Sequence, residues 1–175
     1  MASYKYHVDF LLRWEGGYVD DPKDKGGATN MGVTLATWKK IGYDIDGDGI
    51  ITKNDIRKLT RCDFEYVVRH YWNRINGNKI QNQNVANIIF DWFWHSGNVA
   101  IKKVQQILGV RADGIIGKIT LRAINDYRDQ QGLFYKIRDR RLLFIDRIIK
   151  NNPSQKKFER GWKRRIRALT YNTDI

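Results

Sequence analysis

The sequence contains one cysteine, two prolines and no long uncharged segment in its 175 residues. The single cysteine, Cys62, excludes an intrachain disulfide and a cysteine-based zinc site. Asp91 and His95 interrupt the most apolar stretch, so no run approaches the roughly 20 residues that a membrane helix requires. The N-terminal segment also lacks the continuous apolar core of a signal peptide. We therefore expect neither a disulfide-stabilised secreted scaffold nor an integral membrane protein.

Hydrophobic residues make up 42% of the chain and aromatic residues 13%, which is typical of a packed globular protein. The length suits one compact domain or a domain with an appendage. A chain of this size buries about two-thirds of the surface that its unfolded form exposes. The composition therefore predicts a real hydrophobic core and not a disordered chain.

Apolar residues recur mostly at helical spacing, and the first such helix ends before Gly16 and Gly17. Between Gly16 and Val33 the chain is rich in glycine, aspartate and proline, which favours turns and a small β-hairpin. Further helices are predicted at about 60–75, at 84–95 as a buried central helix, and at 133–150 and 155–169 as basic amphipathic helices. The prediction is a mainly α fold with a small β-hairpin near the N-terminus.

Positive charge is concentrated in one part of the chain. The formal net charge is +13, and residues 136–167 carry 13 Lys and Arg against 3 Asp and Glu. This distribution favours a polyanionic partner such as nucleic acid, an anionic membrane or an anionic cell-wall polymer. A solvated helix face is the alternative interpretation of the same charges.

Glu15 stands apart from the other two glutamates, Glu65 and Glu159, for which ion pairs with neighbouring basic residues are a sufficient explanation. Glu15 lies at the C-terminal end of the first predicted helix, where the helix dipole disfavours a carboxylate and tends to raise its pKa. The aromatic neighbours Trp14 and Tyr18 act in the same direction by desolvation. A raised carboxyl pKa suits a general acid near neutral pH, although a surface glutamate at a helix end is the simpler alternative.

Asp24 and Thr29 follow Glu15 inside the glycine-rich hairpin segment. Lysozyme-type glycoside hydrolysis requires one carboxylic acid for the leaving oxygen and a second polar group that holds water or stabilises the oxocarbenium ion. A helix end followed by a hairpin can place such groups on opposite sides of one cleft. The spacing makes Glu15, Asp24 and Thr29 candidate catalytic residues.

The segment that carries these residues reads EGGYVDDPKDKGGATNMGVT. It resembles the opening motif of glycoside hydrolase family 108, which reads roughly Glu-Gly-Gly-Tyr, Pro-x-Asp-x-Gly-Gly-x-Thr and Gly-Ile/Val-Thr. The resemblance implies a lysozyme-like α fold and an N-acetylmuramidase that cuts the β-1,4 bond between N-acetylmuramic acid and N-acetylglucosamine. Under it Glu15 is the proton donor. The family pattern does not by itself establish a second catalytic carboxylate; Asp24 is the candidate, with Asp20 and Asp21 behind it.

The chain from residue 88 to residue 125 resembles the peptidoglycan-binding domain that follows this motif in the same family. The matching elements are Ser96-Gly97, Leu108-Gly109, Asp113-Gly114, Gly117 and Thr120. The resemblance divides the chain into a lysozyme-like catalytic region, 1–97, and a helical peptidoglycan-binding-like region, 98–175, packed on it.

Four residues are predicted to contact the substrate: Tyr18, Asp91, Trp94 and His95. The last three lie on the central helix, where a lysozyme-like cleft would have its floor. Aromatic side chains offer flat faces for sugar rings, although most of them are expected in the core. The family commonly has asparagine where this chain has His95, and a lone histidine at a helix end is more often structural.

Residues 44–55 read DIDGDGIITKND, which is the arrangement of an EF-hand calcium loop. Aspartate occupies the last position, where glutamate is usual. The predicted metal ligands are Asp44, Asp46, Asp48, Ile50, Thr52 and Asp55. We expect a structural Ca²⁺ that catalysis does not require, and an aspartate-rich turn without metal is the alternative.

Three functional classes fit the sequence: a muramidase, a non-catalytic wall-binding or secretion-associated protein with a lysozyme-like fold, and a basic nucleic-acid-binding helical protein. The first accounts for both family motifs, and the third is supported by the basic segment alone, without a nucleic-acid-binding motif. We expect a monomer whose partners are peptidoglycan and, through residues 136–167, anionic wall polymers. We expect synthesis in the cytoplasm and action on the cell wall, as for a phage or prophage endolysin after holin-type release.

Overall fold

The computed structural model describes residues 1–20 and 27–173, and most of them are helical. The α-helices are α1 (Lys5–Trp14), α2 (Leu35–Ile41), α3 (Lys53–Lys58), α4 (Arg61–Arg74), α5 (Gln83–Ser96), α6 (Asn98–Leu108), α7 (Lys118–Asn125), α8 (Gln130–Asn151) and α9 (Lys156–Ala168). Two short 3-10 helices occupy Gly77–Lys79 and Pro153–Gln155. Strands β1 (Thr29–Asn30) and β2 (Val33–Thr34) form an antiparallel hairpin. The predicted mainly α fold with a small hairpin is confirmed.

The chain forms two compact units, one of residues Tyr4–Tyr71 and one of Met1–Ser3 with Trp72–Ile175. The boundary between the units falls inside α4. The expected division into regions 1–97 and 98–175 stays a prediction.

The Tyr4–Tyr71 unit is organised around the hairpin and α3. Thr34 caps α2 by accepting a hydrogen bond from the Thr37 N–H, and Thr52 and Asp55 form a capping box at the start of α3. The Asn30 side chain donates a hydrogen bond to the Ile56 carbonyl at 2.9 Å, and both residues are buried. The end of β1 is thereby fixed to α3.

In the second unit α5 is the central element. Its residues from Gln83 to Phe93 are all buried, and the helix packs against α6 and α8. An apolar surface all round a helix requires burial on every side, so the predicted buried central helix is confirmed. Among the described residues, no helix combines the length and the apolar character that crossing a membrane requires.

Candidate active site

Glu15 is the residue at which α1 ends. Its backbone is extended, with φ −85° and ψ 145°, and its N–H still donates to the Leu11 carbonyl at 3.0 Å. The half-buried side chain lies against Gly32, because a Cβ atom built on Gly32 would come within 2.5 Å of Glu15 Oε2. The carboxylate therefore lies directly on the turn of the hairpin.

The hairpin turn has the backbone that this approach requires. Asn30 pairs with Val33, so Met31 and Gly32 form a two-residue loop, and both have positive φ, +49° and +76°. Such a loop matches the twist of the flanking strands. The Met31 N–H also donates to the Gly16 carbonyl at 3.1 Å, which ties the turn to the residue after Glu15. Gly32 suits the second position of such a turn, a role that its place in the sequence alone does not reveal.

Thr29 lies on β1, three residues before Gly32. Its backbone exchanges two hydrogen bonds of 2.8 Å with Val19, and its hydroxyl donates to the Gly27 carbonyl at 3.4 Å. The strand that carries Thr29 is thus paired on both sides, with β2 and with the chain that follows Glu15. Asp24 and its alternative Asp21 lie outside the described residues.

Tyr18 is held by a residue that sequence analysis did not single out. The Arg57 guanidinium carbon lies 4.9 Å from the centre of the Tyr18 ring, and Arg57 Nη2 donates to the phenol oxygen at 3.4 Å. Asp20, a second alternative to Asp24, forms an exposed ion pair with Lys53 at 3.1 Å. Because α3 contributes both basic residues, this short helix supports the chain between Glu15 and the hairpin.

Asp91 belongs to the other unit and has a different environment from the one expected. Its side chain is fully buried, with Oδ2 at 2.6 Å from Arg141 Nη1 and Oδ1 at 2.8 Å from Arg165 Nη2. Burial lowers the pKa of the Arg141 guanidinium, although the Asp91 charge opposes this effect. The Asp91 carboxylate has no exposed surface and pairs with two guanidinium groups inside the core. This placement argues against the predicted contact of Asp91 with a sugar.

His95 and Trp94 lie at the end of α5. His95 Nδ1 donates to the Asp91 carbonyl at 2.9 Å, and the half-buried Trp94 packs on Phe90 with ring centres 6.0 Å apart. His95 as a residue is exposed, so its hydration is only partly lost. This partial desolvation lowers the pKa of the His95 imidazole. The negative charge of Asp91 opposes the shift, and the positive charge of Arg165 adds to it. The imidazole is therefore neutral near pH 7, beside a cavity of about 270 Å³ between α5, α8 and α9.

The predicted metal ligands separate into two groups. Asp44, Asp46 and Asp48 each offer a carboxylate oxygen, and these three oxygens lie within 4.8 Å of one another. Asp55 is buried, and its oxygens accept the N–H groups of Ile45 at 2.6 Å and Thr52 at 2.7 Å. Among the described residues, this is the one group of three or more acidic, histidine or cysteine side chains with such spacing.

The mainly helical fold, with a glutamate that ends the first helix beside a hairpin turn, agrees with the lysozyme-like fold that the sequence motif implies. The family model "Glycosyl hydrolase 108" matches residues 8–97, and the model "Predicted Peptidoglycan domain" matches residues 99–167. The chain belongs to the glycosyl hydrolase 108 family.

A solved structure supports the same conclusion. The structure of Brucella abortus SagA is 30% identical in sequence, the alignment covers 98% of each chain, and the TM-score is 0.74. No curated protein matches the sequence. The protein is a glycoside hydrolase with a lysozyme-like fold that acts on peptidoglycan.

Proposed function

We propose that the protein is an N-acetylmuramidase that cleaves the β-1,4 bond between N-acetylmuramic acid and N-acetylglucosamine, with Glu15 as the general acid. The observation that carries this proposal is the placement of the Glu15 carboxylate on the hairpin turn at Gly32. Of the three glutamates, Glu65 pairs with Arg61 and Glu159 pairs with Lys156 and Lys163. Glu15 is the glutamate that combines a helix end with contact to a hairpin.

The proposed reaction begins with transfer of the Glu15 proton to the glycosidic oxygen while the bond from that oxygen to the anomeric carbon breaks. The electron pair of the bond leaves with the oxygen, and positive charge develops on the sugar ring. Asp24 is the proposed second carboxylate, which stabilises this charge or activates the attacking water. The Thr29 hydroxyl, on the strand that enters the hairpin turn, is proposed to help hold that water.

Tyr18 is proposed as a contact for the sugar chain. Arg57 lies over one face of its ring, so the position of the phenol is restricted before substrate arrives. A flat ring three residues from the proton donor suits stacking on a pyranose. The proposal gives Arg57 a positioning role, because it acts through Tyr18.

The test compares Glu15→Gln with Glu65→Gln on purified peptidoglycan. Both substitutions remove one carboxylate and keep the side-chain volume, but Glu65 lies on α4 in an ion pair with Arg61. We expect clearing of the suspension to slow by about 10²- to 10⁴-fold for Glu15→Gln and to stay near the wild-type rate for Glu65→Gln. Circular dichroism and melting curves verify that both variants fold.

The identity of the cleaved bond is tested on the products of the wild-type enzyme. Borohydride reduction followed by mass spectrometry labels the new reducing ends, which are N-acetylmuramic acid for a muramidase and N-acetylglucosamine for a glucosaminidase. The second result would refute the proposed bond. Wild-type clearing by Glu15→Gln would refute the proposed acid, and no clearing by the wild-type protein would favour a non-catalytic wall-binding role.

We further propose that the basic helices α8 and α9 hold the enzyme on anionic wall polymers. Part of their charge is used internally, because Arg141 and Arg165 pair with Asp91, and Lys163 pairs with Asp146 at 2.5 Å. Lys156 also pairs with Glu159. Further exposed cations on the described parts of these helices include Lys136, Arg147, Lys150, Lys157, Arg160 and Arg167. Such a surface raises the local concentration of an enzyme near a polyanion and loses its effect as salt rises.

A further inference from the structure

The loop between α2 and α3 brings three aspartates close together, although their charges repel one another. One carboxylate oxygen from each of Asp44, Asp46 and Asp48 lies within 4.8 Å of the other two. Oxygens that bind one Ca²⁺ ion at about 2.4 Å are separated by at most about 4.8 Å. The spacing of the three oxygens is therefore compatible with one shared ion.

A second observation concerns Asp46 alone. Only 11% of its side chain is exposed, and its Oδ1 atom is buried without a hydrogen-bond partner among the described residues. A buried carboxylate oxygen that has left water and gained no donor is unfavourable unless a cation compensates it. Its other oxygen, Oδ2, lies 3.6 Å from Lys58 Nζ. Three carboxylates and one ammonium leave a net charge of −2, which matches a divalent cation.

The remaining aspartates are oriented by the backbone and keep free lone pairs. Asp44 accepts the N–H groups of Gly47 and Gly49, both at 2.7 Å, and Asp48 accepts the Ile50 N–H at 2.9 Å. Each carboxylate oxygen has two lone pairs, so one hydrogen bond leaves capacity for a metal.

Asp55 has another function in this loop. Its two oxygens accept the N–H groups of Ile45 and Thr52, and together with Thr52 it forms the capping box of α3. Asp55 therefore fixes the two ends of the loop to each other and positions the ligands, which differs from the bidentate metal contact of an EF-hand glutamate.

We propose that residues 44–55 bind Ca²⁺ through the carboxylates of Asp44, Asp46 and Asp48 and the backbone carbonyl of Ile50, with water completing the shell. Ca²⁺ is the preferred ion because it accepts flexible shells of six to eight oxygens, whereas Mg²⁺ requires a near-ideal octahedron. The proposed ligands include none of the proposed catalytic residues.

The consequence for the enzyme follows from α3, which starts inside this loop. Within the same unit, α3 holds β1 through Ile56 and Asn30, and it holds Tyr18 through Arg57. An ion that stabilises the start of α3 stabilises these supports as well. Ca²⁺ therefore raises the temperature at which the active-site supports are lost, without taking part in the reaction.

The experiment uses the whole protein after treatment with a chelator. Isothermal titration with CaCl₂ is expected to give one site per chain, and melting curves are expected to rise by about 5–10 °C when Ca²⁺ is a hundredfold above its dissociation constant. Mg²⁺ at the same concentration is expected to give a clearly smaller shift.

Two double variants localise the site. Asp46→Ala with Asp48→Ala is expected to abolish the shift, whereas Asp126→Ala with Asp139→Ala, which removes two exposed carboxylates elsewhere, is expected to keep it. The absence of heat and of a melting shift in wild-type protein at 10 mM CaCl₂ would overturn the proposal. A full shift in the first double variant would also overturn it. The titration of the wild-type protein decides the question even if that variant does not fold, and neither result depends on the role of Glu15.

Discussion

The contact between Glu15 and Gly32 leads to a quantitative prediction for Gly32→Ala. The added Cβ atom would lie 2.5 Å from Glu15 Oε2 and 2.8 Å from Cδ, whereas ordinary contact begins at 3.4 Å. The carboxylate must therefore move by about 1 Å or the turn must open. Gly32 also has φ +76°, where an alanine costs about 1–2 kcal/mol relative to glycine.

The two effects have different magnitudes and different readouts. The backbone strain alone lowers the melting temperature by about 2–8 °C in a chain of this size. Displacement of the proton donor by about 1 Å lowers the turnover by about 10²-fold, because proton transfer depends on the position of the acid. We therefore expect a modest loss of stability and a large loss of activity.

Gly109→Ala is the matched control. Gly109 has φ +70° at the end of α6, and a Cβ atom there meets no described residue within 4 Å. It carries similar backbone strain without the contact to a carboxylate. The assay is the initial rate of peptidoglycan clearing, measured at least 10 °C below the melting temperature of each variant.

A double-mutant cycle strengthens the test. Because both changes act on the same proton transfer, Gly32→Ala is expected to cause little further loss in the Glu15→Gln background. Two results would refute the reasoning. One is a folded Gly32→Ala enzyme that clears peptidoglycan at the rate of Gly109→Ala. The other is a Gly32→Ala change that lowers the clearing rate as much in the Glu15→Gln background as in the wild-type enzyme.

Two further predictions concern the second unit. Asp91→Asn is expected to lower the free energy of unfolding by about 3–5 kcal/mol, because it leaves two buried guanidinium groups without a counter-charge. The control Asp126→Asn, which breaks an exposed pair, is expected to lower it by under about 1 kcal/mol. Denaturant unfolding measures both, and equal losses would mean that the buried ion pair is not a distinct stabilising element. Replacement of four exposed cations by glutamine is expected to reduce cosedimentation with wall fragments and to flatten its dependence on salt, with turnover of a short soluble muropeptide oligomer nearly unchanged. The four are Lys150, Lys157, Arg160 and Arg167. Equal loss on both substrates would place these residues in the cleft or the core.

Local features of the site could be predicted from the sequence because they depend on neighbours along the chain. The end of α1 at Glu15 follows from the glycine pair after it, and the cluster of Asp44, Asp46 and Asp48 follows from alternation within one short loop. The buried central helix follows from apolar residues on all of its faces. In each case the signal lies within about one or two helical turns.

The tertiary structure decided the features that join distant residues. Asp91 was predicted on the floor of a cleft, but Arg141 and Arg165, which lie 50 and 74 residues away, pair with it in the core. The same packing removes those two arginines from the basic surface that the charge count suggested. The contact of Arg57 with Tyr18, 39 residues apart, and that of Gly32 with Glu15 also arise only in the folded chain. Periodicity specifies which face of an element is buried, but the partner on that face is set by how the elements pack, and that packing is decided by the whole chain.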